Sequence, residues 1–162
     1  MKGTLRHLNA AARRLARRED GTQLVELAIV LPVMLVMFGA VAEFGRFFYT
    51  YQTLAKATRA GARYLTTEPA DGSSDAKAEN LVVYGNTTGT GDPVVSGLSA
   101  GNVSVERSGG PSSMPERVTV KIVGYTYSPL FDLGKLVGVS GLSLNVDVSP
   151  ATTMRTLGST AS

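Results

Sequence analysis

The chain has no cysteine and one histidine, His7. Without thiols it forms no disulfide and no thiolate metal site, although that absence does not fix a compartment, because exported domains are also built without them. With the only imidazole in a basic N-terminal stretch, everything beyond it lacks the side chain that His-dependent triads and most transition-metal sites need. A charge excess is missing as well. Of sixteen basic residues, Lys2, Arg6, Arg13, Arg14, Arg17 and Arg18 precede Gly21, where only Glu19 and Asp20 oppose them. Beyond Gly21, ten basic residues meet eleven acidic ones, so the net +3 belongs to the tail and a nucleic-acid partner has no electrostatic footprint on the body. Asp71, Asp75 and Asp92 are scattered and do not make the dense acidic loop of a calcium site. The segment GNTTGTGDP lacks the Gly-Lys-Ser/Thr ending of a phosphate loop and its strand-to-helix setting. Asn86 and Asn102 sit in N-x-Ser/Thr triplets, which matter only in a glycosylating pathway. No catalytic residue, cofactor site or metal site is read, and the chain is not expected to be an enzyme.

What the chain does have is one long apolar run. At 162 residues, with 18 glycines and 43% apolar residues, it suits a modest domain plus an anchor. Gln23 to Phe44 is 22 residues; as a helix these rise about 33 Å, enough for a hydrocarbon core of about 30 Å. A transmembrane segment at about 23–44 is therefore expected. Phe44, Phe47, Phe48, Tyr49 and Tyr51 follow as an aromatic belt at the headgroup layer. Glu43 and Arg46, three residues apart, read as an interfacial ion pair whose side chains snorkel to water. The basic excess before the run places the N-terminus in the cytoplasm and the body outside it.

One residue does not belong in such a run. A lone carboxylate deep in lipid costs about 2.5–3.5 kcal/mol on insertion scales, so Glu26 needs compensation. It lies near the start of the helix and has the option of snorkelling to the cytoplasmic interface. A second alternative is an ordinary signal peptide, because Ala40-Val41-Ala42 fits a cleavage pattern and Leu27 to Ala42 is uncharged. Against it stand the length of the basic region and of the apolar run, and the helical pattern that continues beyond.

That pattern places Tyr51, Leu54, Thr58, Gly61 and Leu65 on one stripe, with Gln52, Lys56, Arg59 and Arg63 opposite. A single helix over 22–66 follows, about 68 Å long and too long to be only an anchor. Pro32 should kink or loosen it, and Glu68-Pro69 should end it. The body, 67–162, reads as α+β. Ser74 is the expected cap of a short helix reaching Tyr84, and strands are expected at Val103 to Glu106, across RVTVKIVGYTY, and across LSLNVDVS. A helical turn capped by Ser128 is expected between the last two. The fold class is α+β: a long N-terminal helix whose protruding amphipathic half packs on a small antiparallel sheet.

These residues carry a resemblance, strong from Gly21 to about Leu65 and loose beyond. A basic leader is followed by Gly21 and, five residues on, Glu26; then come VLPVMLVMFG and EFGRFFYTYQTLAKATRAGARYL, with Glu43-Phe44-Gly45-Arg46 and Ala60-Gly61-Ala62-Arg63-Tyr64 as the most specific parts. The chain resembles the TadE-like minor pilins (pseudopilins) of the tight-adherence branch of type IV pili, with a pilin-like fold. The resemblance implies a cytoplasmic leader, 1–21, removed with His7 when a prepilin peptidase cuts between Gly21 and Thr22. It implies that Glu26 meets the new amino terminus of an adjacent subunit, each buried charge being costly alone and tolerable when paired. The implied location is the bacterial cytoplasmic (inner) membrane, crossed once with the body outside, and incorporation into the pilus. The implied partners are other pilins and minor pilins, the prepilin peptidase, the inner-membrane platform and membrane lipid, with no nucleic acid. The major pilin of this branch is much shorter and generally has Tyr after the glutamate, whereas Leu27 stands there here. Both departures favour a minor subunit over the main filament, with a body that caps the pilus tip, primes its assembly or contacts a surface. The alternatives are a permanently anchored extracytoplasmic interaction domain and a soluble domain secreted after cleavage at Ala42.

Overall fold

The computed structural model describes residues 19–111, 115–131, 134–135, 138 and 145–157, with backbone only at 19 and 20. Most of the expected leader, and Leu142 and Leu144 of the expected third strand, lie outside the described residues. The chain divides into two units, 1–41 and 42–162. Helix α1, Glu19–Leu65, begins in the first and ends in the second, and Pro32 lies inside it without ending it.

In the first unit, Leu24, Ile29, Val33, Leu35 and Phe38 are all more than half exposed. An 18-residue window there has a mean hydropathy of 2.5 and none of it is buried, so among the described residues this is the one helix long and apolar enough to cross a membrane. A surface that is apolar all round and left bare by the described residues is what a lipid-facing helix presents.

The second unit is the α+β body. After α1 come α2, Gly72–Tyr84, a short 3₁₀ turn Ala100–Asn102, and strands β1 Val103–Ser108, β2 Arg117–Ile122, β3 Thr126–Tyr127, β4 Val146–Asp147 and β5 Ala151–Arg155. One sheet has the order β1-β2-β5 with both pairings antiparallel, and β3 pairs with β4 in a second, two-stranded sheet. The central strand β2 alternates cleanly, burying Val118, Val120 and Ile122 on one face. Onto that core come Leu54, Ala62 and Leu65 from α1, and Ala78, Val82 and Val83 from α2. The stripe read from the sequence is the buried one apart from Tyr51, which is 44% exposed, while Gln52, Lys56, Arg59 and Arg63 face solvent.

Gly61 is where α1, α2 and β2 meet. A Cβ there would lie 2.6 Å from Val82 Cγ2, 3.4 Å from the Ala78 carbonyl and 3.6 Å from Val120 Cγ1. Gly61→Leu should therefore destabilise the body by about 1–3 kcal/mol through overpacking, read as a lower urea midpoint at unchanged slope.

Three sequence expectations need correction. The cap of α2 is Asp71, not Ser74: its Oδ1 accepts from the Ser74 amide at 2.7 Å, and Ser74 is a buried first-turn residue. That amide, by stabilising the carboxylate, lowers the Asp71 pKa. The strand expected across 117–127 breaks in two because Gly124 turns at φ +62, a left-handed conformation that glycine takes freely. The Asn102 side-chain amide clasps the bend, donating to the Val123 and Gly124 carbonyls at 3.1 and 3.2 Å. Strand β5 was not expected at all, and of LSLNVDVS only Val146–Asp147 is a described strand. Arg107 of β1 ties α2 to the sheet through a two-pronged contact with Asp75, at 2.8 and 2.5 Å, which raises the arginine's pKa.

Candidate functional site

Two carboxylates on α1 stand in opposite circumstances. Glu26 is exposed among Val25, Leu27, Ile29 and Val30, and among the described residues nothing pairs with it. Gly21 and Thr22, the expected processing pair, lie one turn before it, in the first turn of α1. A Cβ at Gly21 would meet nothing within 4 Å, so packing among the described residues gives no reason for glycine there. Glycine weakens a helix by about 1 kcal/mol relative to alanine, so the backbone at Gly21–Thr22 is held less firmly than an alanine at that position would hold it.

Glu43 is fully buried. Its Oε1 accepts the Tyr127 hydroxyl at 2.5 Å and the Leu130 amide at 3.2 Å, and its Oε2 accepts the Phe131 amide at 3.2 Å. The expected pairing with Arg46 is present but long, 4.0 Å, and only the arginine is half exposed. The reading of Glu43 as a snorkelling surface ion pair is thus corrected: the side chain turns inward, where three donors offset its desolvation. The aromatic belt divides in the same way. Phe47 is half-buried and meets Tyr127 edge to face, with centroids 5.3 Å apart, while Phe44, Phe48, Tyr49 and Tyr51 stay exposed. Composition signalled this cluster, but Tyr127, 84 residues away, and the amides of 130 and 131 left no trace in any local pattern.

Burial disfavours the Tyr127 phenolate, and the Glu43 carboxylate both holds its proton and repels the anion, so its pKa is pushed up to about 12. A pKa raised on folding contributes stability that is fully present below the ordinary value of about 10 and is lost as pH rises through the folded value. Urea midpoints should therefore fall between about pH 10 and 12. Tyr127→Phe should flatten that decline, leaving the smaller share from buried Tyr125, whose pKa burial also raises.

Beside this cluster Arg46, Tyr49 and Thr50 face Ser96, Gly97 and Tyr125 across an open groove of about 610 Å³. Among the described residues no three His, Asp or Glu side chains gather to hold a metal ion.

An apolar half-helix that is exposed among the described residues and carries a carboxylate unpaired among them, continued as the helix on which a small α+β body is built, is the arrangement that the resemblance to pilins implies. Residues 21–63 match the model of a family described as TadE-like protein, which bears out the resemblance read from the sequence over that segment. The match begins at Gly21 and includes Thr22, Glu26, Glu43 and Arg46. It covers 43 of the 162 residues, all of them on α1. No curated protein and no solved structure matches the chain.

Proposed function

We propose that this chain is a minor pilin of the Tad type, cut after Gly21 by prepilin peptidase, held in the cytoplasmic membrane by the apolar half of α1 with its body outside, and used to prime or tip the pilus. The observation that carries this reading is Glu26, a carboxylate that among the described residues has no partner, on a helix segment none of which they bury, five residues beyond the expected cut. The ammonium group created at Thr22 of a neighbouring pilin supplies the missing charge, and a helix shifted by one turn would leave both charges unpaired. Other pilins, the peptidase and the inner-membrane platform are the partners that this role requires.

The first residue of the protein taken from its native membrane tests the reading. Mass spectrometry should find Thr22; Met1 in cells with an active prepilin peptidase, or Glu43, overturns it. Support against a cut after Ala42 comes from the body, because it would sever α1 beside the buried Glu43 that helps to hold the core.

A further inference from the structure

We infer that the Pro129–Phe131 loop is a second membrane contact, entering the outer headgroup layer beside the point where α1 leaves the bilayer. The inference rests on the anchoring proposed above. Leu130 and Phe131 are 70% and 60% exposed, two large apolar side chains side by side on a loop. Their backbone amides do not face solvent chemistry but donate to the two oxygens of Glu43, which Tyr127 also holds. The loop is thereby pinned by its backbone against α1, one residue past the uncharged run that ends at Ala42.

Thickness fixes where that is. Thr22 to Ala42 is 21 residues, rising about 31 Å, the depth of a hydrocarbon core. A span that starts at the processed amino terminus therefore ends at Glu43, and the loop pinned to Glu43 lies at the opposite interface. Phe44 and Phe48, one helical turn apart and about half exposed, add aromatic surface at the same level, and Arg46 offers a cation to phosphate headgroups. Lipid tolerates irregular backbone only where its polar groups are satisfied. A buried carboxylate taking both amides meets that condition for the two N–H groups, and in the headgroup layer water and lipid headgroups reach the carbonyls. Continuity with the membrane helix is what selects lipid over a second copy of the chain as the occupant.

The chain contains no tryptophan, so Phe131→Trp creates a single fluorescent probe at a site where the added bulk meets no core. The full protein is placed in vesicles of phosphatidylethanolamine and phosphatidylglycerol, with and without brominated acyl chains. Two single-tryptophan references accompany it: Leu31→Trp in the span, and Leu157→Trp, an equally exposed position whose amide binds the Thr66 carbonyl just past the end of α1. Phe131→Trp should emit to the blue of Leu157→Trp and be quenched by brominated lipid about threefold more, as an interfacial aromatic is. Emission and quenching equal to those of Leu157→Trp overturn the inference, as does a blue shift that brominated lipid leaves unquenched because another protein covers the loop. Leu31→Trp separates the two claims. If it too escapes quenching, the anchoring itself fails; if it is quenched while Phe131→Trp is not, only the loop contact fails.

Discussion

Glu43→Ala should cost the body about 3–5 kcal/mol, because it strips the acceptor from a buried hydroxyl and two backbone amides at once. A domain of this size has a total stability of about 5–15 kcal/mol, so the variant should stand near the unfolding threshold. In urea its midpoint should drop sharply, and protease should open the chain at the 128–131 segment. Two milder changes apportion the loss. Tyr127→Phe leaves both amides bonded and should cost about 1–1.5 kcal/mol. Glu43→Gln keeps one good acceptor but turns an NH₂ toward a donor, so it should fall between the other two. A Glu43→Ala midpoint within about 0.5 kcal/mol of the parent, the range of an ordinary surface substitution, would remove the central role given to this carboxylate.

The same residue marks the limit of what local sequence pattern encodes. The stripe Leu54, Thr58, Gly61, Leu65 was legible because helical period and burial coincide, and Val118, Val120 and Ile122 were legible because a central strand alternates over a single buried face. Glu43 also falls on a periodic helix, but charge and position beside an aromatic belt point equally to a headgroup and to a core. What separates them is a tyrosine on β3, and no local pattern encodes a contact across that separation. The belt was therefore read as one layer, whereas Phe47 belongs to the core and its neighbours do not.

Other misreadings share a cause: local chemistry with two valid outlets. Asp71 and Ser74 are both good caps, and the one three residues earlier won because its carboxylate reaches the Ser74 amide. Strand β5 is an edge strand whose inward residues, Thr152 and Met154, are only half-buried, so it alternates too weakly to stand out behind Pro150. Its contribution is nonetheless specific, since the Thr152 hydroxyl lies 3.1 Å from that of Thr58 on α1. In the apolar half of α1 the sequence is the more informative source, because Glu26 is conspicuous by its neighbours alone and the structure adds that nothing among the described residues relieves it.

Glu26→Ala should leave cleavage after Gly21 intact and yet lower the amount of the protein in sheared pili about a hundredfold. The substitution makes the helix more apolar and easier to insert, so a loss of assembly cannot come from poor anchoring. Under the proposed pairing it comes from the neighbouring subunit's amino terminus, left charged and unpaired in low dielectric. A buried pair that loses one partner is penalised by about 3–5 kcal/mol, and each 1.4 kcal/mol is about tenfold in an equilibrium constant. Glu26→Asp, shorter by one methylene, should restore part of the yield; an effect of helix hydropathy alone would not be rescued that way. Gly21→Leu should fail earlier, giving a heavier band that stays in the membrane fraction, because the leader would remain and no free amino terminus would form at residue 22. The two variants thus separate processing from assembly. Equal pilus incorporation of Glu26→Ala and the parent would show that the carboxylate has some other use, and the pairing of charges between neighbouring helices would have to be abandoned.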